Sequence, residues 1–382
     1  MLNDLLDVFR LKQYFDAVTA VQEIAAAVRE DARFLNTVRR GLVTLPGERY
    51  GATTLRPFPP FRSRPVAALQ GVRFALVSTG GSGALASLVG AFRACAECSV
   101  RPSVMSVCSG SALFGFPLGA GLSVDRVCQF TLGLRAADFV DLNTGGLLRL
   151  LPTAGRGFIG IIKGERLERT CRRLLGDMRL GDLAIPTYAP IWNVEENRVE
   201  YIGPRTYPDL PVATAMRVAV ALPLFIDPVM IGDRYWCDGG IVDIFPVVPV
   251  LDIEDPSEVV LALNCFYPPE FAGERVTGWK EERASILRVA SQVRTSQQAE
   301  LARVNLARLR RHSTVLMIDP VTYERVRGTG FYEQFLDNSD WPEFMRLGRR
   351  AALGALTAWR PDEGRSAGHD APAGRAVRRA AH

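Results

Sequence analysis

The sequence predicts an α/β fold, a mainly parallel central sheet covered by helices on both faces, with helical extensions at either end. Three observations carry that expectation. A short apolar run at 72–77 meets the turn Ser78-Thr-Gly-Gly-Ser-Gly83 and then a stretch of helical period to about Cys98. The same order follows in Val104-Met-Ser-Val107, a tight Cys-Ser-Gly-Ser turn and an apolar helix to about Gly119. Further strand-length runs at 188–194, 199–202, 235–237 and 259–263 supply more of the sheet. Strand, turn and helix repeated in this way give parallel strands, which need cover on both faces.

The remaining segments fall around that centre. Residues 165–175 read as an amphipathic helix, with Leu167, Cys171 and Leu174 or Leu175 on one face, four arginines elsewhere and Gly176 as its stop. Helices are also expected over 278–311 and 341–359. Near the start, Leu2, Leu5, Leu6 and Phe9 recur at helical spacing among charged residues, as in a helix docked on the protein body. Pro57, Pro59, Pro60 and Pro65 make 55–65 a connector. The expected organisation is an N-terminal helical extension with its connector (1–70), an α/β domain (71–265), a C-terminal helical region packed on the core (266–360) and a disordered tail (361–382).

Composition narrows the function. With 48% hydrophobic and 23% charged residues, the 382-residue chain has the make-up of a globular protein with a sizeable core. Of 46 basic residues only Lys12, Lys163 and Lys280 are lysine, and several arginines fall in the last twenty positions. The body is therefore nearer neutral than the net +5 suggests, and no dense basic face for nucleic acid is expected. No run of 18 apolar residues occurs, and acids stand where a leader peptide would be basic. A cytoplasmic protein, at most peripheral at a membrane, is the expectation. Seven scattered cysteines suit a reducing compartment. Cys95-x-x-Cys98 has redox or zinc spacing, but it lies in an apolar helix with no second Cys/His pair, so packed core is the reading and neither metal nor cofactor is expected.

Three turns carry chemistry. In Val107-Cys108-Ser109-Gly110-Ser111, a serine between strand and helix can occupy a sharp elbow that exposes its hydroxyl, though it can equally be a simple helix cap. In Gly80-Gly81-Ser82-Gly83, unpaired backbone amides can converge on an anion. No Lys-Ser/Thr follows, as a nucleotide loop requires, so an oxyanion hole is the better reading. In Asp238-Gly239-Gly240, the glycines let the chain reverse against another element, but Asp-Gly is also an ordinary turn. The histidines join the three. His369 and His382 lie in the tail and His312 follows an arginine-rich helix end, so a Ser-His-Asp triad lacks its base. Asp238 is then the best candidate to take a proton from Ser109.

With those motifs in that order, residues 72–263 resemble the patatin-like phospholipases. The flanks agree too: Ser111-Ala-Leu-Phe-Gly-Phe-Pro-Leu-Gly after the serine, Ala215-Met-Arg-Val-Ala-Val-Ala-Leu-Pro before the aspartate and Ile241-Val-Asp-Ile-Phe-Pro after it. The resemblance implies a three-layer α/β/α fold, a Ser109–Asp238 dyad, an oxyanion loop from Gly80 to Gly83 and a lipid or fatty-acyl ester substrate hydrolysed through an acyl-enzyme. Val107 and Ser111 replace the elbow glycines, Ser82 and Ala84 stand near places where the family carries a third glycine and a basic residue, and Ile244 stands where it often has asparagine. A β-branched Val107 is expected to crowd the turn. Two alternatives stay open: a register in which Cys108 is the nucleophile, and a scaffold that binds lipid or a partner without turnover. The pattern Gly155-Arg-Gly-Phe-Ile-Gly160 lacks the strand and helix of a dinucleotide site, and Glu195-Glu196 reads as a solvated hairpin turn.

Overall fold

Residues 56–134, 136–139, 141, 143, 160–272, 286–326, 334 and 338–361 are described by a computed structural model. The helix expected before residue 40, most of the Gly155–Gly160 pattern and the tail after 361 lie outside them. Ten strands are formed among the described residues: β1 (Phe74–Ser78), β2 (Val104–Ser106), β3 (Gly160–Ile162), β4 (Thr187–Asn193), β5 (Arg198–Ile202), β6 (Leu224–Ile226), β7 (Val229–Ile231), β8 (Arg234–Asp238), β9 (Val259–Leu263) and β10 (Thr314–Ile318). The longer helices are α1 (Ser87–Glu97), α2 (Ala112–Gly119), α3 (Val124–Gly133), α4 (Glu165–Leu175), α5 (Val212–Ala219), α6 (Ile286–His312) and α7 (Trp341–Ala358).

The central sheet runs β10-β9-β1-β2-β4-β8-β7, with β5 also paired to β4, while β3 and β6 form a separate pair. From β10 to β4 every pairing is parallel; β5, β7 and β8 add antiparallel neighbours. The strand period of two explains the layers. Phe74 and Leu76 of β1 enter one apolar cluster, with Leu88, Phe114, Val127, Leu167, Met216 and Phe344 from α1 to α5 and α7. Ala75 and Val77 enter the other, with Ala302, Leu306 and Leu309 of α6. The sheet is thus sandwiched between helical layers. No described helix is long and apolar enough to cross a membrane.

Sequence reasoning missed β10, which pairs with β9 from within the region expected to be helical. Its signal was present: Thr314-Val-Leu-Met-Ile318 is a five-residue apolar run closed by Asp319-Pro320. The periodicity of α3 and α5 also went unread. Elsewhere expectation and structure agree closely, including α4 at its expected bounds and Gly176 after it at φ +65°. Cys95 and Cys98 are buried on α1, and burial pushes both thiols up.

Helix α7 locks onto α1 through backbone contact. A Cβ at Gly90 would lie 1.9 Å from the Met345 carbonyl oxygen, and one at Gly348 would lie 2.0 Å from that of Ser87. Beside this contact the Glu97 carboxylate is buried between two guanidiniums, bonded to Arg93 at 2.9 Å and to Arg349 at 3.1 and 2.7 Å. Burial raises the Glu97 pKa, but the bonds from Arg349 and Arg93 outweigh it and hold the carboxyl below its ordinary 4.5. Glu97→Gln strips two guanidiniums of their counter-charge and is expected to cost about 3 kcal/mol near neutral pH, read by urea unfolding. Because the folded pKa is depressed, the stabilisation is complete above the unfolded value and fades as pH falls through the folded one, so the two proteins should converge in acid.

Candidate active site

The candidate residues meet beyond the carboxyl ends of β1, β2 and β8. β2 ends at Ser106, and Val107 and Cys108 lead into a single 3-10 turn, Ser109–Ser111, before α2. Ser109 adopts φ +51°, a left-handed conformation that is costly for a residue with a side chain. Local bonds hold it there. The Ser111 hydroxyl accepts from the Cys108 amide at 2.7 Å and donates to the Cys108 carbonyl at 2.8 Å, closing the turn on itself. Replacing the second elbow glycine with serine therefore adds a clasp. The crowding expected from Val107 is absorbed by α2: a Cβ at Gly115 would lie 2.5 Å from Val107 Cγ1, so the glycine leaves the space the valine fills.

Ser109 is partly exposed, whereas Cys108 is fully buried. The Cys108 thiol points at the Asp243 carbonyl, 3.5 Å away. Burial, then the charges of Asp238 and Asp243, pushes its pKa well up. A buried, protonated thiol is a poor nucleophile, which weighs against the Cys108 register.

The glycine loop packs directly on this elbow. A Cβ at Gly80 would lie 3.2 Å from Ser109 Cβ, and one at Gly110 would lie 2.5 Å from the Gly81 carbonyl oxygen. The Gly80 amide donates to the Ile244 carbonyl at 3.0 Å, so it is already engaged; at this position the backbone of residue 244, not its side chain, makes the polar contact. The Ser82 hydroxyl is buried with no hydrogen-bond partner among the described residues.

Sheet register brings Asp238 to the same height as Ser109. Ser106 of β2 stands opposite Tyr188 of β4, and Ile191, three residues further along β4, stands opposite Asp238 of β8. Ser109 is likewise three residues beyond Ser106. The turn after Asp238 needs both its glycines. A Cβ at Gly239 would lie 2.5 Å from the Pro190 carbonyl carbon, and one at Gly240 would lie 2.7 Å from Cys108 Sγ. That Gly240 position lies 3.5 Å from Ser109 Cβ and 3.0 Å from Asp238 Oδ1, so those two atoms are at most 6.5 Å apart, the sum of the two distances. Asp238 is buried, and its Oδ1 accepts from the Gly240 amide at 2.8 Å.

A polar cluster behind the turn was not anticipated. Buried Asp243 accepts from the Tyr201 hydroxyl at 2.6 Å and from Asn305 Nδ2 at 2.9 Å, and burial raises its pKa against those bonds. Asn305 also reaches the Phe245 carbonyl, and Gln298 the Gly240 carbonyl. The available signal was two amide side chains seven residues apart on one face of α6, a polar interruption of its buried stripe. Other sequence candidates lie elsewhere. Glu195 and Glu196 occupy the β4–β5 hairpin, where Glu195 accepts from the Tyr235 amide and Glu196 pairs with Arg198 and Arg234. An open hollow of about 540 Å³ is lined by Asp138, Thr170 and the α4 arginines and touches neither Ser109 nor Asp238.

A parallel sheet with a strained serine, a glycine loop and a buried carboxylate gathered at its strand ends has the architecture of an α/β lipid hydrolase. The family comparison is specific: residues 76–251 match the model of the patatin-like phospholipases, and the chain carries a domain of that family. Uncharacterized NTE family proteins of Mycobacterium bovis and Mycobacterium tuberculosis are 26% identical over 119 residues, a match spanning 31% of this chain and 31% of each relative. Among solved structures, VipD from Legionella pneumophila aligns over 78% of this chain and 71% of its own, with a TM-score of 0.43 and 14% identity. Human GIVD cytosolic phospholipase A2 in complex with methyl gamma-linolenyl fluorophosphonate aligns over 86% and 63%, with a TM-score of 0.38 and 10% identity.

Gly115→Ala drives a methyl into Val107 and is expected to destabilise the protein by about 1–3 kcal/mol. Val107→Ala removes the clashing Cγ atoms, so in a double-mutant cycle followed by urea unfolding the pair should cost less than the sum of the singles.

Proposed function

We propose that the protein is a lipid acyl hydrolase working through a Ser109–Asp238 dyad. The observation that carries this reading is Ser109 itself: partly exposed, strained at φ +51°, and with its Cβ no more than 6.5 Å from a buried carboxylate oxygen, the sum of 3.5 and 3.0 Å. Asp238 accepts the Ser109 proton as Oγ attacks the ester carbonyl. The tetrahedral oxyanion is held by amides of the glycine loop. With the Gly80 amide bonded to Ile244, that role falls to Gly81, Ser82 and Gly83, with the unpartnered Ser82 hydroxyl as a further donor. Collapse passes the proton from Asp238 to the departing alcohol and leaves an ester on Ser109. Water, deprotonated by Asp238, then releases the fatty acid and restores the serine.

The substrate proposed is a lipid or fatty-acyl ester met at a membrane from the cytoplasmic side. Exposed Met230 and Tyr235, opposite one another on β7 and β8, and exposed Val242 just past the Asp238 turn offer apolar contacts for such a peripheral encounter. The scaffold reading drew on Val107 and Ser111, and both are accommodated without distorting the elbow, so no observation favours it.

A fluorophosphonate probe is expected to label the wild type and Cys108→Ala but not Ser109→Ala. Asp238→Asn should slow short-chain ester hydrolysis by about 100-fold or more. A folded wild type that neither labels nor hydrolyses esters would return the argument to a non-catalytic scaffold.

A further inference from the structure

Helix α6 lies beyond the span matched by the family model, yet it reaches the turn that carries Asp238. Gln298 Nε2 donates to the Gly240 carbonyl at 2.8 Å, while its Oε1 accepts from the Tyr267 hydroxyl at 3.1 Å. The tyrosine thereby orients the amide so that its donor faces the turn. Gly240 in turn gives its own N–H to Asp238 Oδ1 at 2.8 Å. A continuous path of hydrogen bonds therefore runs from the helix, through one glycine, to the carboxylate.

We propose that Gln298 is a positioning residue for the reaction: by pinning Gly240 it holds the Asp238 carboxylate where it can take the Ser109 proton. The proposal rests on the Ser109–Asp238 reading. Glycine has the freest backbone of any residue, so Gly240 keeps its place only if something outside the turn ties it. Misplacing a catalytic group by about 1 Å can cost on the order of 100-fold in rate. Loosening Gly240 also lengthens the bond from its amide to Asp238. That bond favours the ionised carboxylate, so its loss raises the pKa and moves the acid limb of activity to higher pH. The ionisable neighbours of Asp238 include the Cys108 and Cys237 thiols, both pushed up by burial, and Asp243 at the foot of the turn, bonded to Tyr201 and Asn305. Thiols kept protonated leave the carboxylates to shape that limb.

The test is p-nitrophenyl butyrate hydrolysis as a function of pH, with active sites counted by fluorophosphonate titration. Gln298→Leu should lose about 10- to 100-fold in kcat per titrated site, with KM nearly unchanged and the acid limb shifted upward. Tyr267→Phe, which removes only the orienting hydroxyl, should move both in the same direction by less. Wild-type kcat per site and an unshifted limb in both variants would overturn the proposal, since a purely structural role changes the number of active sites and leaves the profile alone. Amide hydrogen exchange separates this from failure of the dyad reading. Faster exchange confined to 239–243 in Gln298→Leu is the expected result, and unchanged exchange there sinks the tie whether or not the wild type turns over.

Discussion

The site depends on how closely three turns can pack around one buried sulfur. Cys108 Sγ lies 3.1 Å from where a Cβ of Gly80 would be and 2.7 Å from where one of Gly240 would be. The glycine loop and the aspartate turn therefore close on the same atom from two directions, with Ser109 beside it. Any side chain at Gly240 would open the junction. The distance between Ser109 and Asp238 is thus set by backbone packing on a fully buried wedge, which is stiffer than a set of exposed side chains could be. It follows that the cysteine beside the serine is a structural residue, although its sequence position made it a rival nucleophile.

What could be read from the sequence follows from the same physics. Local backbone demands leave local marks: the glycine loop, the strand-serine-helix turn and Asp-Gly-Gly each announce a place where the chain bends or approaches another element. The lack of a usable histidine then linked turns about 130 residues apart. Long-range compensation leaves no such mark. Val107 looks wrong for an elbow until Gly115, two turns into α2, is known to face it. Ser111 looks like a lost glycine until its hydroxyl is found clasping Cys108. The Asp243 cluster was hidden for a related reason, because its partners come from β5 and α6 and no spacing connects them. The strand β10 is a different case. Its apolar run was visible, but a short run between helices has no periodicity to separate strand from buried helix.

The parts outside the matched span complete the fold around the site. Without β10, the apolar strand β9 would end the sheet with its backbone groups unpaired. Trp341, at the start of α7, bonds from its indole nitrogen to the Gln334 carbonyl at 3.0 Å, and a Cβ on Gly83 would lie 2.2 Å from that nitrogen. The glycine loop is therefore roofed by the C-terminal region on one side while the aspartate turn is tied to α6 on the other. These are contacts on backbone, and backbone is what an oxyanion loop must hold still.

A dyad without histidine also places a particular demand on the carboxylate. In a triad the imidazole moves the proton and the acid only orients it; here a single group must take the proton and return it. Asp238 Oδ1 is committed to the Gly240 amide, so in the proposed mechanism Oδ2 is the oxygen that exchanges the proton with Ser109. Two opposing effects then act on one acid. Burial strengthens it as a base, and the amide bond on Oδ1 keeps it ionised while empty. An aspartate stripped of the amide bond would hold its proton too well to give it back to the leaving alcohol, and one left in water would be too weak a base to take it. The fold satisfies both conditions by burying the carboxylate at the end of β8 and turning the next backbone amide but one back onto it.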